Sequence, residues 1–259
     1  MSVSKTSIDS KKRFTDRVED YVKFRPSYPT DIIAFLEENA LLTKSSVIAD
    51  VGSGTGLLTK IFLENGNKIF GIEPNKEMRM AGEKFLKQYD NFVSINGSSE
   101  ETTLIDESID LITAGQAYHW FNIEKTALEF KRILKQSNKE NIVLIWNTRT
   151  DKTEFNRAVE RIIKKFSNDY EHVSHTQDKN KDQNIFFNTV FKRKTFPNYQ
   201  ELTFDGLLGR LLSSSYMLKK TDERYPTFEN ELKKIFTCYE VNGTILLDYE
   251  TELFYGKLE

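Results

Sequence analysis

The sequence predicts an α/β fold, an open and mostly parallel sheet with helices on both faces. Three observations carry this. Short apolar, β-branched runs recur up to Trp146, stretches of helical period lie between them, and the first run ends in Asp50-Val51-Gly52-Ser53-Gly54-Thr55-Gly56. Glycines at alternate positions there turn a strand into a helix. Such a turn lets the backbone approach a ligand where a Cβ would collide, and aims the N–H groups of a helix start at polar ligand atoms. The ligand it suits is a nucleoside. The spacing is Gly-x-Gly-x-Gly, and Leu57 stands where a dinucleotide fingerprint takes Gly or Ala, which weakens a dehydrogenase assignment.

Along the chain, Met1 to Lys12 is polar and expected to fray. Thr30 and Asp31 cap a helix whose Ile32, Ile33, Phe35 and Leu36 lead towards Leu41 and Leu42. Strands are expected at Val47–Val51, Lys68–Ile72, Phe92–Ile95, Ile109–Thr113 and Ile142–Trp146. Helices separate them at Leu57–Glu64, stopped by Asn65-Gly66-Asn67, at Asn75–Lys87 and at Ile123–Leu134. This alternation means parallel strands joined by right-handed crossovers. Beyond Arg149 the pattern changes. Phe155–Phe166 is helical, Asp169–Asn188 is polar and aperiodic, and Phe191–Leu202 is β-prone. Phe204–Leu212 and Phe228–Tyr239 are helical, and Gly243–Tyr255 alternates as a long closing strand. The chain therefore divides into an N-terminal arm (1–30), a ligand-binding core (31–150) and a C-terminal part (151–259) of helices, loops and closing strands.

The 259 residues suffice for a domain with an elaboration, and 37 Lys and Arg nearly balance 39 Asp and Glu. That balance removes the general attraction to polyanions, so no nucleic-acid partner is expected. Cys238 is the only cysteine, which excludes an intrachain disulfide and a thiolate metal cluster. His172 and His175 have no identifiable third ligand, and no metal is expected. Ser2–Arg13 lacks an apolar signal core, and no later run approaches the ~20 apolar residues that span a bilayer. A cytoplasmic chain with no membrane partner is the expectation.

Glu73 ends the second apolar run at the separation where an acidic residue reaches ribose hydroxyls, although a helix N-terminal acid would occupy the same place. Gln116-Ala117-Tyr118-His119-Trp120-Phe121 follows the fourth run, at the sheet edge where ligands bind in open α/β folds; its aromatics would equally pack a core. Together with Asn96-Gly97-Ser98-Ser99-Glu100, these segments resemble the class I S-adenosylmethionine-dependent methyltransferases. The match is to the small-molecule branch of trans-aconitate methyltransferase-like enzymes, which carry segments like Tyr21-Val22-Lys23-Phe24-Arg25-Pro26-Ser27-Tyr28-Pro29 before the glycine motif and Gln-Ala-aromatic-His-Trp-Phe after strand four. The resemblance covers most of the chain and is specific mainly in the first half.

The resemblance implies a Rossmann-like doubly wound sheet of seven strands, mostly parallel with an antiparallel last strand, and helices covering the active site. It implies S-adenosyl-L-methionine as cofactor. Asp50 would organise the turn near the methionine part, with the backbone of Gly52, Ser53, Gly54 and Gly56 along the cofactor. Glu73 would take the ribose, Pro74 and Met78 the adenine face, and Ser98, Ser99 and Glu100 the adenine edge. Tyr21 would face the sulfonium, Arg25 would meet a carboxylate, and Gln116 would line the site. His119 is the catalytic candidate, either touching the acceptor or assisting its deprotonation. Ser213-Ser214-Ser215 beside Tyr216 would form a polar wall, so that the acceptor lies between Gln116–Phe121, the arm and Arg210–Tyr216. The expected reaction is direct in-line methyl transfer to a small-molecule acceptor, at a carboxylate or hydroxyl oxygen, with carbon and nitrogen still open, by a monomer or homodimer. A nicotinamide-dependent oxidoreductase and a non-catalytic nucleoside-binding module are the alternatives. A macromolecular methyltransferase is disfavoured by the balanced charge.

Overall fold

Side-chain alternation along the first strand sets up the two faces of the sheet. In β1 (Val47–Val51), Ile48 points into one apolar layer while Ala49 and Val51 point into the other, as the period of a pleated strand requires. β2 (Lys68–Ile72), β3 (Phe92–Ile95), β4 (Leu111–Gly115) and β5 (Ile142–Arg149) run parallel with it. β6 (Lys192–Leu202) and β7 (Ile245–Gly256) complete a seven-stranded sheet in the order β3-β2-β1-β4-β5-β7-β6. β7 is antiparallel to both of its neighbours. The computed structural model describes residues 23–138, 141–168 and 191–257. Tyr21, the polar stretch 169–188 and both of its histidines, His172 and His175, lie outside them.

Seven helices pack on this sheet: α1 (Asp31–Glu38), α2 (Leu57–Glu64), α3 (Lys76–Phe85), α4 (Ile123–Ile133), α5 (Glu154–Phe166), α6 (Phe204–Leu212) and α7 (Tyr225–Tyr239), counted among the described residues. Ile32 and Leu36 of α1 and Leu58 and Phe62 of α2 meet Ile48, Leu111 and Val143 on one face. Phe130 and Ile133 of α4 meet Val51, Ile112 and Leu144 on the other. A third cluster joins α5, α6 and α7 to Leu247 and Tyr249 of β7, and so places α6 beside the carboxyl edge of the parallel strands.

Some boundaries differ from the sequence expectation. β4 begins at Leu111 because Ile109 is held by the end of α4, its N–H donating to Ile133. β5 runs on through the polar Asn147-Thr148-Arg149 because β7 pairs alongside, Thr148 opposite Glu250 and Arg149 opposite Tyr249. α7 starts at Tyr225 with a proline in its first turn, where a missing N–H costs nothing.

Glu129 of α4 is only 9% exposed. Its carboxylate accepts from Thr102 N and Oγ1 (2.8 and 2.5 Å) and from Arg132 Nε and Nη2 (2.8 and 2.7 Å). These bonds tie α4 to the segment after β3. Burial opposes ionisation, but Arg132 and Thr102 outweigh it and hold the carboxyl below its ordinary value. A depressed pKa means a contribution present above the unfolded value and lost as pH falls through the folded one. Glu129→Gln should therefore cost about 1–3 kcal/mol at neutral pH and much less near pH ~3. Urea unfolding of both proteins at the two pH values checks this, and an equal loss at both would contradict it.

Candidate active site

The turn from β1 into α2 is fixed by two buried carboxylates. Asp50, fully buried, accepts from Thr59 Oγ1 of α2 (2.6 Å) and Thr113 Oγ1 of β4 (3.0 Å). Burial pushes its carboxyl up to about 6, against the pull of those hydroxyls. Glu73, at the end of β2, accepts from Gly54 N (2.9 Å) and from Asn75 N (2.8 Å) at the start of α3. Burial raises its carboxyl too, against the two backbone bonds and the charge of Arg79. Two of roughly four carboxylate acceptor positions are thus occupied, which leaves the others for hydroxyl donors.

The glycines of the turn answer to different neighbours. Gly52 has φ +70°, and a Cβ there would stand 2.5 Å from Ala117 Cβ, so the turn is pressed against the segment after β4. Gly56 has φ +86°, and its Cβ would meet Leu86 Cδ1 at 2.6 Å, a packing demand rather than a ligand one. At Gly54 a Cβ would have Met78 Cε, 3.4 Å away, as its nearest neighbour.

After β4 the chain makes a strained step. Gln116 has φ +56°, a left-handed conformation unusual outside glycine. Its N–H donates to Ile145 (2.9 Å) and its Nε2 to the Asn147 carbonyl (2.8 Å). A short 3-10 turn, Tyr118–Trp120, follows and buries Tyr118 against Phe121 and Trp146. His119 sits half-buried on it, its ring centroid 4.7 Å from that of Trp120.

A cavity opens between the glycine turn, this step and α6. Its polar lining includes Arg25, Tyr28, Asp50, Gln116, Asn147 and Arg210. Of the sequence-predicted residues, Arg25, Asp50, Gly52, Ser53, Gly54 and Gln116 are brought together there. Gly56, Glu73, Pro74, Met78, Ser98, Ser99, Glu100 and His119 are not among its lining residues. Ser99 accepts from Thr126, and Glu100 accepts from the Asn122 N–H, so this pair seats the start of α4. Burial opposes ionisation of Glu100, and its hydrogen bonds prevail and lower its carboxyl. Among the described residues no cluster of His, Cys, Asp and Glu is placed to hold a metal ion.

Residues 24–28 form one wall. The Phe24 ring occupies the space of the missing Gly209 side chain, and the Phe24 carbonyl accepts from Gln200 (3.0 Å). Asn147 and Asn198 both donate to the Ser27 carbonyl (3.1 and 2.9 Å), and Arg25 Nη2 donates to the Ser213 carbonyl (3.0 Å). Tyr28 and Asn147 escaped the sequence reading. The signal for Asn147 was its place directly after the apolar run of β5; Tyr28 gave none beyond lying in the arm motif.

Beside α6, Tyr216 lies in the field of two cations. Burial alone would raise the Tyr216 phenol, yet the charges of Arg149 and Arg210, with hydrogen bonds from Ser214 and Arg149, bring it down to about 8. Asp50 supplies the opposite case. Its raised pKa means a contribution fully present below the ordinary value of 3.8 and lost as pH rises through about 6. Asp50→Asn should therefore gain on the wild type by roughly 2–3 kcal/mol between pH ~4 and ~7. Chemical unfolding of both at each pH measures the gap, and a gap moving the other way would refute the assignment.

Comparison with known proteins agrees with this geometry. Residues 49–139, from β1 past α4, match the methyltransferase domain family model. A methyltransferase-like protein of Schizosaccharomyces pombe is 29% identical over 96% of both chains. An uncharacterised methyltransferase of Mycobacterium tuberculosis is 32% identical over 60% of each. In fold, the chain is similar to a solved type II methyltransferase structure from Anaeromyxobacter dehalogenans, with a TM-score of 0.65 and 18% identity over 91% of this chain and 98% of that one. A strand-to-helix glycine turn, an acid closing the next strand and a seven-stranded sheet with one antiparallel member thus coincide with a methyltransferase domain match over residues 49–139 and with relatives named as methyltransferases.

Proposed function

We propose that the protein transfers the methyl group to an oxygen of a small organic acid, giving a methyl ester. The observation that carries this reading is the cavity lining: two guanidinium groups, Arg25 and Arg210, and, among the described residues, no unengaged base, since Asp50 already accepts from two hydroxyls. A carboxylate is anionic and nucleophilic at neutral pH without help. A hydroxyl must lose a proton. A hydroxyl acceptor is the second reading, and His119, three residues beyond Gln116, favours it as the nearby imidazole.

In this reading Glu73 accepts the ribose hydroxyls on its remaining lone pairs, Pro74 and Met78 flank the adenine, and Ser98, Ser99 and Glu100 face its edge. The backbone from Gly52 to Gly54 lies along the methionine part, whose carboxylate is met by Arg25. When bound, S-adenosylmethionine supplies a methyl group on an already activated sulfonium. The chain's own work is then to orient the acceptor oxygen in line and to exclude water, which the wall of residues 24–28 and α6 is built to do. No covalent enzyme intermediate is needed. The balanced overall charge and the concave cavity suit a compact acceptor rather than nucleic acid. No helix among the described residues is long and apolar enough to cross a membrane.

Calorimetry should show binding of S-adenosylhomocysteine but not of NAD. Glu73→Ala should weaken that binding by about 1–3 kcal/mol with native circular dichroism retained, the range for hydrogen bonds to a charged group. Unchanged affinity would place the ribose elsewhere. For the acceptor, radiolabelled methyl groups transferred to small molecules of a cell extract should be released as volatile methanol by mild alkali, as carboxyl esters require. Label that resists alkali would favour hydroxyl or nitrogen acceptors.

A further inference from the structure

The segment after β4 that carries His119 is anchored at both ends. At its start Gln116 donates through its N–H to Ile145 and through Nε2 to Asn147, both on β5. At its end the Asn122 N–H donates to Glu100 Oε1 (2.9 Å), which belongs to the loop after β3. Between the anchors lie the bonds of the 3-10 turn itself, Trp120 N–H to Ala117 and Phe121 N–H to Tyr118. Glu100 is half-buried on a tight turn in which the Ser98 N–H donates to the Glu101 carbonyl (3.0 Å). Its carboxylate accepts from Asn122, from the Ser98 and Ser99 hydroxyls and from its own N–H. A carboxylate offers about four acceptor positions, so this one is filled. Thr126 Oγ1 of α4 donates to Ser99 Oγ (3.0 Å), which leaves the Ser99 proton for Glu100. The anchored segment also backs the glycine turn, since a Cβ on Gly52 would meet Ala117 and the Phe121 ring.

We infer that Glu100 is a positioning residue, whose carboxylate fixes residues 118–122, and His119 with them, to the loop after β3 instead of reading the adenine amino group. This rests on the proposed cofactor binding. An amino group is a donor and needs a lone pair, and the protein's own donors already use those of Glu100. Residues 98–100 then meet adenine through their backbone. A main-chain N–H bonded to an ionised carboxylate is held more firmly than one bonded to a neutral oxygen. Without Glu100 the segment keeps its Gln116 anchor and loses the other, so His119 and the Phe121 ring behind Gly52 shift while the cofactor keeps its contacts.

The test compares Glu100→Ala and Glu100→Gln in the full chain, the second keeping one carbonyl oxygen for the Asn122 N–H. In Glu100→Ala, amide exchange at Trp120, Phe121 and Asn122 should quicken roughly tenfold or more, the scale of one hydrogen bond to a charged group. Methyl transfer from radiolabelled S-adenosylmethionine to small molecules of a cell extract should lose turnover, with KM for S-adenosylmethionine kept. Calorimetry should give the same ratio of affinities as in the wild type for S-adenosylhomocysteine and S-inosylhomocysteine, which carries oxygen in place of the adenine amino group. Glu100→Gln should recover most of the exchange protection and of the turnover. A ratio that collapses in Glu100→Ala would overturn the inference, because it marks a carboxylate that reads adenine. Unchanged exchange at residues 120–122 or unchanged turnover would overturn it too. So would exchange quickened throughout the chain with a lower melting temperature, which marks a general role in the fold. Failure of the wild type to bind S-adenosylhomocysteine would instead sink the underlying cofactor reading.

Discussion

The two buried carboxylates at the ends of β1 and β2 are the constraint on which the rest depends. Asp50 and Glu73 are held by hydroxyl and backbone N–H donors, not by cations at bonding distance. Such an arrangement leaves the desolvation of each charge incompletely repaid, visible in the raised pKa of both. What it secures is shape. Asp50 fastens β1 to α2 and β4, and Glu73 fastens the turn to α3, so the glycine backbone between them is tied at both ends.

The opposite side of the site is built from cations and from distant parts of the chain. Arg25 comes from the segment before α1 and Arg210 from α6, and the two are linked through the Ser213 carbonyl and the Arg210–Ser214 bond. In the proposed reading the acids of the turn serve the nucleoside and the guanidinium of α6 faces the acceptor, which gives the crevice a direction. The antiparallel β7 makes this possible, because it carries Tyr249 to the Arg210 guanidinium and draws β5 out far enough to place Asn147 at the cavity.

What was legible in the sequence was local. The glycine turn, Glu73 and the first strands depend on neighbours a few residues away, and period and turn chemistry report those directly. The start of β4 was misplaced because Ile109 is as apolar as Leu111, and only its bond to the end of α4 removes it from the strand. Asn147 reaches the Ser27 carbonyl across 120 residues of sequence, a contact no window can register. Arg210 had a faint signal, a cation inside Leu207-Leu208-Gly209-Arg210-Leu211-Leu212, but its lack of a carboxylate partner emerges only from the packed structure. His119 shows the reverse: its spacing from Gln116 suggested the crevice, and the 3-10 turn sets its ring beside Trp120.

The most direct measurement is a crystal structure of the complex with S-adenosylhomocysteine. The account predicts ribose hydroxyls on Glu73, the amino-acid end against Gly52–Gly54 and Arg25, and the sulfur facing the space between Gln116 and Arg210. A sulfur atom directed away from that space, or a nucleoside seated elsewhere on the sheet, would contradict it.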